Sequence, residues 1–279
     1  MIESRRVPAM GGFATVTTVG ASDGELDAVL VELDRLERLW SRFRPDSDVT
    51  RLNLSDGEAV RVDHATIGLL HLMQEAIRET AGAFDPTLLP ALVDAGYATS
   101  MVDPAHTTLL LPDSLPGGSL SDIRIDGTEV RMPRGLTLDA GGIGKGYAAD
   151  RLCAMTRVRG TVGAMVEIAG DLAVWGEAPQ PGGWIIGIEQ PSDPSRHVDA
   201  VRLRAGGVAT SGTRKRRWVQ DGVARHHLLD PGTRQSARAD AFVHEIADTL
   251  EWLPTRNAAA LLVDDEGTVH TTSNWSNYR

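Results

Sequence analysis

LDAGGIGKGYAAD, residues Leu138 to Asp150, decides the fold and chemistry expected of this chain. Four glycines, Gly141, Gly142, Gly144 and Gly146, surround one lysine, Lys145. A strand-like run through Leu136 and Leu138 leads in, and a helical run through Tyr147, Ala148, Leu152 and Met155 leads out. Glycine lets backbone N–H groups come close to a ligand. A helix N-terminus adds partial positive charge at that point, and Lys145 adds a full charge. Together they suit a phosphate or pyrophosphate. No Ser or Thr follows the lysine, and the GxGxxG spacing is absent, so neither common nucleotide-loop pattern applies. The same residues also fit a plain glycine-rich turn carrying a solvated lysine.

Outward from this loop, Phe13 to Val19 alternates and is rich in Thr and Val, which predicts a strand. Leu26, Val29, Leu30, Leu33, Leu36 and Trp40 fall at helical spacing within Leu26 to Phe43, with Asp23 as the expected cap. Arg51 to Asn53 read as loop. A second helix is expected from His64 to Thr80, capped by Asp63, with Ile67, Leu70 and Ile77 turned inward. Residues 98–120 collect Pro, Gly, Ser and Asp and predict a surface excursion. Ile123 to Ile125 and Glu129 to Met132, around Asp126-Gly127, predict a hairpin. From Val162 on, strands dominate: Met165 to Ile168, Leu172 to Trp175, Trp184 to Glu189, Ala200 to Leu203, Arg217 to Val219 and His226 to Leu229. A helix near His244 to Leu253 and strands Ala259 to Val263 and Thr268 to Thr271 close the chain. Helices early and antiparallel strands late predict an α+β fold, with largely antiparallel sheets packed against helices. One domain over residues 1–279 is expected, with a contracted C-terminal segment at 238–257.

The 279 residues are 42% hydrophobic and 24% charged, the balance of an ordinary soluble domain. A formal net charge of -10 argues against broad nucleic-acid or anionic-membrane binding. One cysteine, Cys153, allows no internal disulfide. No run nears the ~20 apolar residues that span a bilayer. A cytoplasmic location is the expectation.

Other segments carry chemistry. Met10-Gly11, SRFRPDSDVTRLN (Ser41 to Asn53), GAFDPTLLPAL (Gly82 to Leu92), ATSGT (Ala209 to Thr213) and HHLLDPGT (His226 to Thr233) lie in order around the glycine loop. Thr210, Ser211 and Gly212 offer hydroxyls and a tight turn, suited to polar recognition or to an ordinary turn. His227 suits phosphate binding or proton movement, since imidazole titrates near neutrality, or a structural place in a strand. Its neighbour His226 would face the other side of that strand, so one of the two enters a site. Asp171 suits a site carboxylate or a turn.

From about Met10 to Ala237, these segments resemble the ApbE-like FAD:protein FMN transferases. The resemblance implies a T-fold-related architecture. It also implies transfer of FMN from FAD to a Thr or Ser hydroxyl of a target protein, with Mg²⁺ present and AMP released. FAD is then the substrate, held by Met10, Phe84, Asp85, Gly141, Gly142, Lys145, Asp171, Thr210, Ser211, Gly212 and His227. Within that set, Asp85 shapes the closing loop, and His227 and Lys145 serve catalysis. Mg²⁺ is expected on the carbonyl of Gly144 and on Glu245 and Thr249 of the late helix. That pair shares a helix face and offers hard oxygen donors. Asp240 and His244 form a rival register, and a solvated charged helix is the third reading. Glu167, Ala169, Thr213-Arg214 and Arg234 depart from the family pattern. RKRRW, Arg214 to Trp218, is unusually basic, as a solvated strand edge or a docking strip for an acidic target loop. FAD pyrophosphatase activity and non-catalytic flavin binding are the alternative functions.

Overall fold

Short alternating strands in the first and second halves of the chain meet in one sheet. The computed structural model describes residues 1–158, 160–214, 216–237, 250–264 and 266–279. The chain opens with β1 (Ile2–Ala9), β2 (Gly12–Val19), α1 (Glu25–Trp40), α2 (Asp48–Asn53), β3 (Ala59–Arg61), α3 (His64–Glu79) and α4 (Leu89–Asp94). Next come β4 (Arg124–Asp126), β5 (Glu129–Arg131) and α5 (Gly144–Val158). The strands β6 (Gly163–Ile168), β7 (Asp171–Gly176), β8 (Trp184–Gln190), β9 (Asp193–Leu203) and β10 (Ala205–Val208) follow. Then come β11 (Arg217–Gln220), β12 (Val223–His226), β13 (Leu229–Asp230), β14 (Gln235–Ser236), β15 (Leu261–Val263) and β16 (Val269–Thr271).

The main sheet has the order β1-β2-β6-β7-β10, with every pair antiparallel. Helix α5 packs on β6 and β7, with α1 beside it. Ala14, Val16, Leu33, Leu36, Leu152, Val166 and Ile168 are buried in the core of this layer. Trp40 of α1 stacks on Tyr147 of α5 with ring centroids 5.6 Å apart, which fixes the start of α5 against α1. The α+β class with largely antiparallel sheets is therefore the observed one. The early-helix, late-strand order is only partly kept, because the first hairpin joins the late strands.

The α3 helix forms as expected, with the Asp63 carboxylate accepting the Ala65 N–H at 2.8 Å. The expected hairpin also forms, as β4 and β5, but Asp126 pairs with Glu129 and the two-residue turn is Gly127-Thr128. Several boundaries differ from the sequence reading. The N-cap of α1 is Gly24, and Asp23 makes no capping bond there. Instead, Glu25, the first residue of the helix, reaches back to accept the Ser22 N–H at 3.3 Å. Residues 51–53 are helical because Ser47 caps α2 through the Thr50 N–H at 3.0 Å. β1 is an exposed edge strand of mixed polarity, so its sequence carries little apolar alternation. β9 starts at Asp193, seven residues before the expected start. Its first half pairs with β8 through an irregular register that hides period-two alternation. The expected strand from His226 to Leu229 is broken into β12 and β13, which leaves His227 off the ladder. The late helix lies mostly outside the described residues, which cover only its end from Leu250.

The excursion at 98–120 is largely exposed but pinned at its middle and near its end. Buried Arg42 donates to Thr108 Oγ1 at 2.9 Å, and the Gly118 N–H bonds Thr87 Oγ1 at 3.0 Å.

Candidate functional site

Antiparallel order brings distant turns to one end of the main sheet. The pairs Ala9↔Gly12, Ile168↔Asp171 and Val208↔Leu172 put the β1–β2 turn, the β6–β7 turn and the chain leaving β10 side by side. The first turn is Met10-Gly11, with φ of 48° and 77°, the left-handed pair that a two-residue hairpin needs. A Cβ added to Gly12 would lie 2.9 Å from Ala169 Cβ, so the first two turns touch. A Cβ on Gly170 would lie 3.4 Å from Thr210 Cβ, which brings in the third.

Into this end α5 directs its first residues. Lys145 Nζ makes a charge-assisted hydrogen bond to Asp171 Oδ2, with both side chains largely buried. The other carboxylate oxygen of Asp171 accepts the Thr210 N–H at 3.1 Å. Two sequence boxes, the glycine loop and ATSGT, are thus joined by one carboxylate at the start of β7. Thr210, Ser211 and Gly212 are exposed, so their hydroxyls remain open to a ligand.

Hydrogen bonds from the N-terminal third hold the glycine loop. Buried Asn53 clamps Leu138 from both sides: its Oδ1 accepts the Leu138 N–H at 2.8 Å, and its Nδ2 donates to the Leu138 carbonyl at 2.9 Å. The Asp139 N–H bonds the Pro86 carbonyl at 2.9 Å, which sets the glycine loop against the Gly82 to Leu92 box. Asp85 Oδ1 accepts the Thr87 N–H at 2.8 Å and its hydroxyl at 2.6 Å, an Asx turn that gives Asp85 a shaping part. A Cβ on Gly142 would meet the Phe84 ring at 3.0 Å, so the missing side chain lets the ring sit close against the loop. Arg42 lies 3.6 Å from the Asp139 carboxylate, with its guanidinium over the rings of Phe43 and Tyr97. Tyr97 lies 5.3 Å from Trp218, whose indole N–H bonds the Ala95 carbonyl, so β11 is tied to the end of α4.

His227 lines a recess of about 80 Å³ with Phe84, Pro86, Leu88, Leu89, Leu92, Asp139, Gly142 and Leu229. His226 turns away and bonds the Ala237 carbonyl at 2.9 Å, so one histidine of the pair enters the recess. A larger groove of about 510 Å³ over β4 and β5 is lined by none of the expected site residues. Burial, then the nearby Arg216 charge, pushes the His227 imidazole down to about 4. It is neutral at pH 7, and its buried Nδ1 has no hydrogen-bond partner among the described residues.

The lowered value has a consequence for stability. Between about pH 4 and the ordinary 6.5, the unfolded chain binds a proton at His227 that the folded chain refuses. Folded stability should therefore fall as pH drops from 6.5 towards 4. His227→Gln should flatten that part of the profile in urea titrations. Parallel wild-type and variant profiles over this range would contradict the burial of a neutral His227.

Of the expected FAD set, Lys145, Asp171 and Thr210 are bonded together. Phe84, Gly142 and His227 line the recess, Asp85 shapes its loop, and Met10 lies in an adjoining turn. For the expected magnesium ligands, only Gly144 lies within the described residues. Glu245, Thr249 and the rival Asp240 and His244 lie outside them. Among the described residues, no three His, Cys, Asp or Glu side chains gather into a metal cluster. Sequence reading assigned no part to Arg42, Asn53 or Asp139. Arg42 and Asn53 stand in the quoted box after the first helix, and Asp139 stands inside the glycine loop, so the boxes marked them without showing their partners.

The ApbE family model matches residues 10–248. An FAD:protein FMN transferase of Klebsiella pneumoniae is 27% identical over 238 residues, covering 81% of this chain and 68% of that protein. One of Treponema pallidum is 29% identical over 235 residues, covering 77% of this chain and 64% of that protein. The matched part thus spans about two thirds of these relatives. Among solved structures, the ApbE protein of Thermotoga maritima aligns with a TM-score of 0.83 at 26% identity, covering 100% of this chain and 99% of that one. The apo flavinyl transferase ApbE of Pseudomonas stutzeri aligns at 0.77 and 25% identity, covering 100% and 96%.

Proposed function

The chain belongs to the ApbE family, and we propose that it is an FAD:protein FMN transferase. The observation that carries this reading is the Lys145–Asp171–Thr210 linkage, beside a recess that His227 enters. It joins the glycine loop, the β6–β7 turn and the Ala-Thr-Ser-Gly box, three segments far apart in sequence. The names of the relatives support the same reading.

In the proposed reaction, a Thr or Ser hydroxyl of an acceptor protein bonds to the FMN phosphorus of FAD. The bond from that phosphorus to the bridging oxygen breaks, and AMP leaves with the electron pair. His227 is neutral at working pH and suits acceptance of the hydroxyl proton. The exposed Thr210 and Ser211 hydroxyls and the glycine-loop N–H groups bind and orient the anionic substrate. Charge placement and alignment supply most of the rate in such transfers. The chemistry a bound magnesium ion supplies is offset of negative charge on the pyrophosphate oxygens. Gly144, Glu245 and Thr249 are the residues proposed to hold it.

Two measurements test this reading. In fluorescence titrations, FAD should bind more tightly than FMN; equal or tighter FMN binding would count against a dinucleotide site. Glu245→Gln should raise the magnesium concentration needed for AMP release while leaving metal-free FAD binding nearly intact. If Asp240→Asn has that effect and Glu245→Gln does not, the rival register holds the metal. No helix among the described residues is long and apolar enough to cross a membrane.

A further inference from the structure

Lys145 is the cation that the glycine loop brings to the site, but its charge is already matched by Asp171. Arg42 is likewise engaged, beside Asp139 and on the Thr108 hydroxyl and Tyr97 carbonyl. Asp171, Asp139, Asp85 and Glu167, carboxylates of the site among the described residues, are occupied. Asp171 holds Lys145 and the Thr210 N–H. Asp139 also accepts the Gly141 N–H, Asp85 holds Thr87, and Glu167 accepts the Gly170 N–H at 2.7 Å.

Arg216 has no such match among the described residues. It lies where the chain from the Thr210–Thr213 turn enters β11, and it is half-buried. Its guanidinium has no ion-pair or hydrogen-bond partner among the described residues. One guanidinium nitrogen lies 3.4 Å from where a Cβ on Gly11 would stand, so the side chain folds back over the β1–β2 turn. The φ of 77° at Gly11 favours glycine there. Arg216 also acts electrostatically on His227, more strongly than Lys145 does. It therefore stands between the Met10-Gly11 turn, the Ala-Thr-Ser-Gly box and His227. A half-buried guanidinium with no counter-ion among the described residues is well satisfied by an anion, and its planar fork matches two phosphate oxygens at once.

We propose that Arg216, at the mouth formed by the Gly11 turn and His227, grips the phosphate groups of the flavin nucleotide, while Lys145 positions Asp171 and Thr210. This rests on the flavin-nucleotide reading above. Within RKRRW, it separates Arg216, turned into the site, from exposed Arg214 and Arg217.

The test compares the full chain with Arg216→Gln and Arg216→Lys in metal-free buffer, titrating FAD, FMN and riboflavin by fluorescence. Arg216→Gln should weaken FAD and FMN binding by about tenfold or more. Riboflavin, which has no phosphate, should bind within about twofold of wild type. Arg216→Lys keeps the charge without the fork and should lose less than Arg216→Gln. Unchanged FAD binding in Arg216→Gln overturns the proposal and returns Arg216 to a solvated side chain. Equal loss of FAD and riboflavin in both variants also overturns it, because that marks a packing part. If the wild type binds no flavin, the underlying reading falls and this one with it, whereas a wild type that binds FAD isolates the failure to Arg216.

Discussion

Asp171→Ala should lower the unfolding free energy by about 3 kcal/mol, as for breaking a buried ion pair from one side. The side chains of Lys145 and Asp171 are 16% and 11% exposed, so water does little to screen or replace the pair. Removing the carboxylate strands the Lys145 ammonium in this setting. It also takes the acceptor from the Thr210 N–H, whose turn then loosens. Asp171→Asn keeps an oxygen for Thr210 but no charge for Lys145, so an intermediate loss is expected. The double variant Lys145→Met/Asp171→Leu should recover much of the stability, because it removes both charges together. It should not recover FAD binding, since the link between the glycine loop and the Ala-Thr-Ser-Gly box is gone. Urea denaturation of the single and double variants gives the coupling. A loss below about 1 kcal/mol for Asp171→Ala would show a solvated, weak pair instead.

Asn53→Ala should cost about 2–4 kcal/mol, since it leaves both the N–H and the carbonyl of buried Leu138 without partners. Few exchanges can repair this, because Asn presents a donor and an acceptor from one planar group. Asn53→Asp keeps the acceptor for the Leu138 N–H, but its second oxygen then faces the Leu138 carbonyl. It should therefore cost nearly as much as alanine. Leu138 is the buried residue that leads directly into Asp139 and the glycines, so FAD binding should weaken along with stability. The check is a urea midpoint and an FAD titration on the same preparation. Stability and binding both near wild type in Asn53→Ala would mean that the loop holds its position without the clamp.

The local physics of the chain was readable. The helical spacing and Asp63 cap of α3, the hairpin around Gly127 and the glycine-to-helix run into α5 each depend on residues close in sequence. The strand expected through Leu136 and Leu138 does not form, because the Leu138 backbone groups bond the Asn53 side chain instead of a ladder. Chemistry that depends on distant partners was not readable. Lys145 lies 26 residues from Asp171, and Asn53 lies 85 from Leu138, so no window of sequence shows that these groups meet. A lysine in a glycine loop suggests a cation offered to phosphate, whereas the sheet delivers a carboxylate to it first. His227 was legible as the inward member of the His226–His227 pair. The reason is different, because it sits in the break between β12 and β13 rather than on a continuous strand. β1 escaped notice because an exposed edge strand needs no apolar face of its own to be held by β2.

The most direct measurement of the proposed function is the mass of an acceptor protein, denatured after incubation with this chain, FAD and Mg²⁺. The expected result is a flavin mononucleotide fixed to a Thr or Ser of the acceptor, with one AMP released for each transfer. AMP and free FMN in equal amounts, with the acceptor unmodified, would contradict transfer and show water as the acceptor.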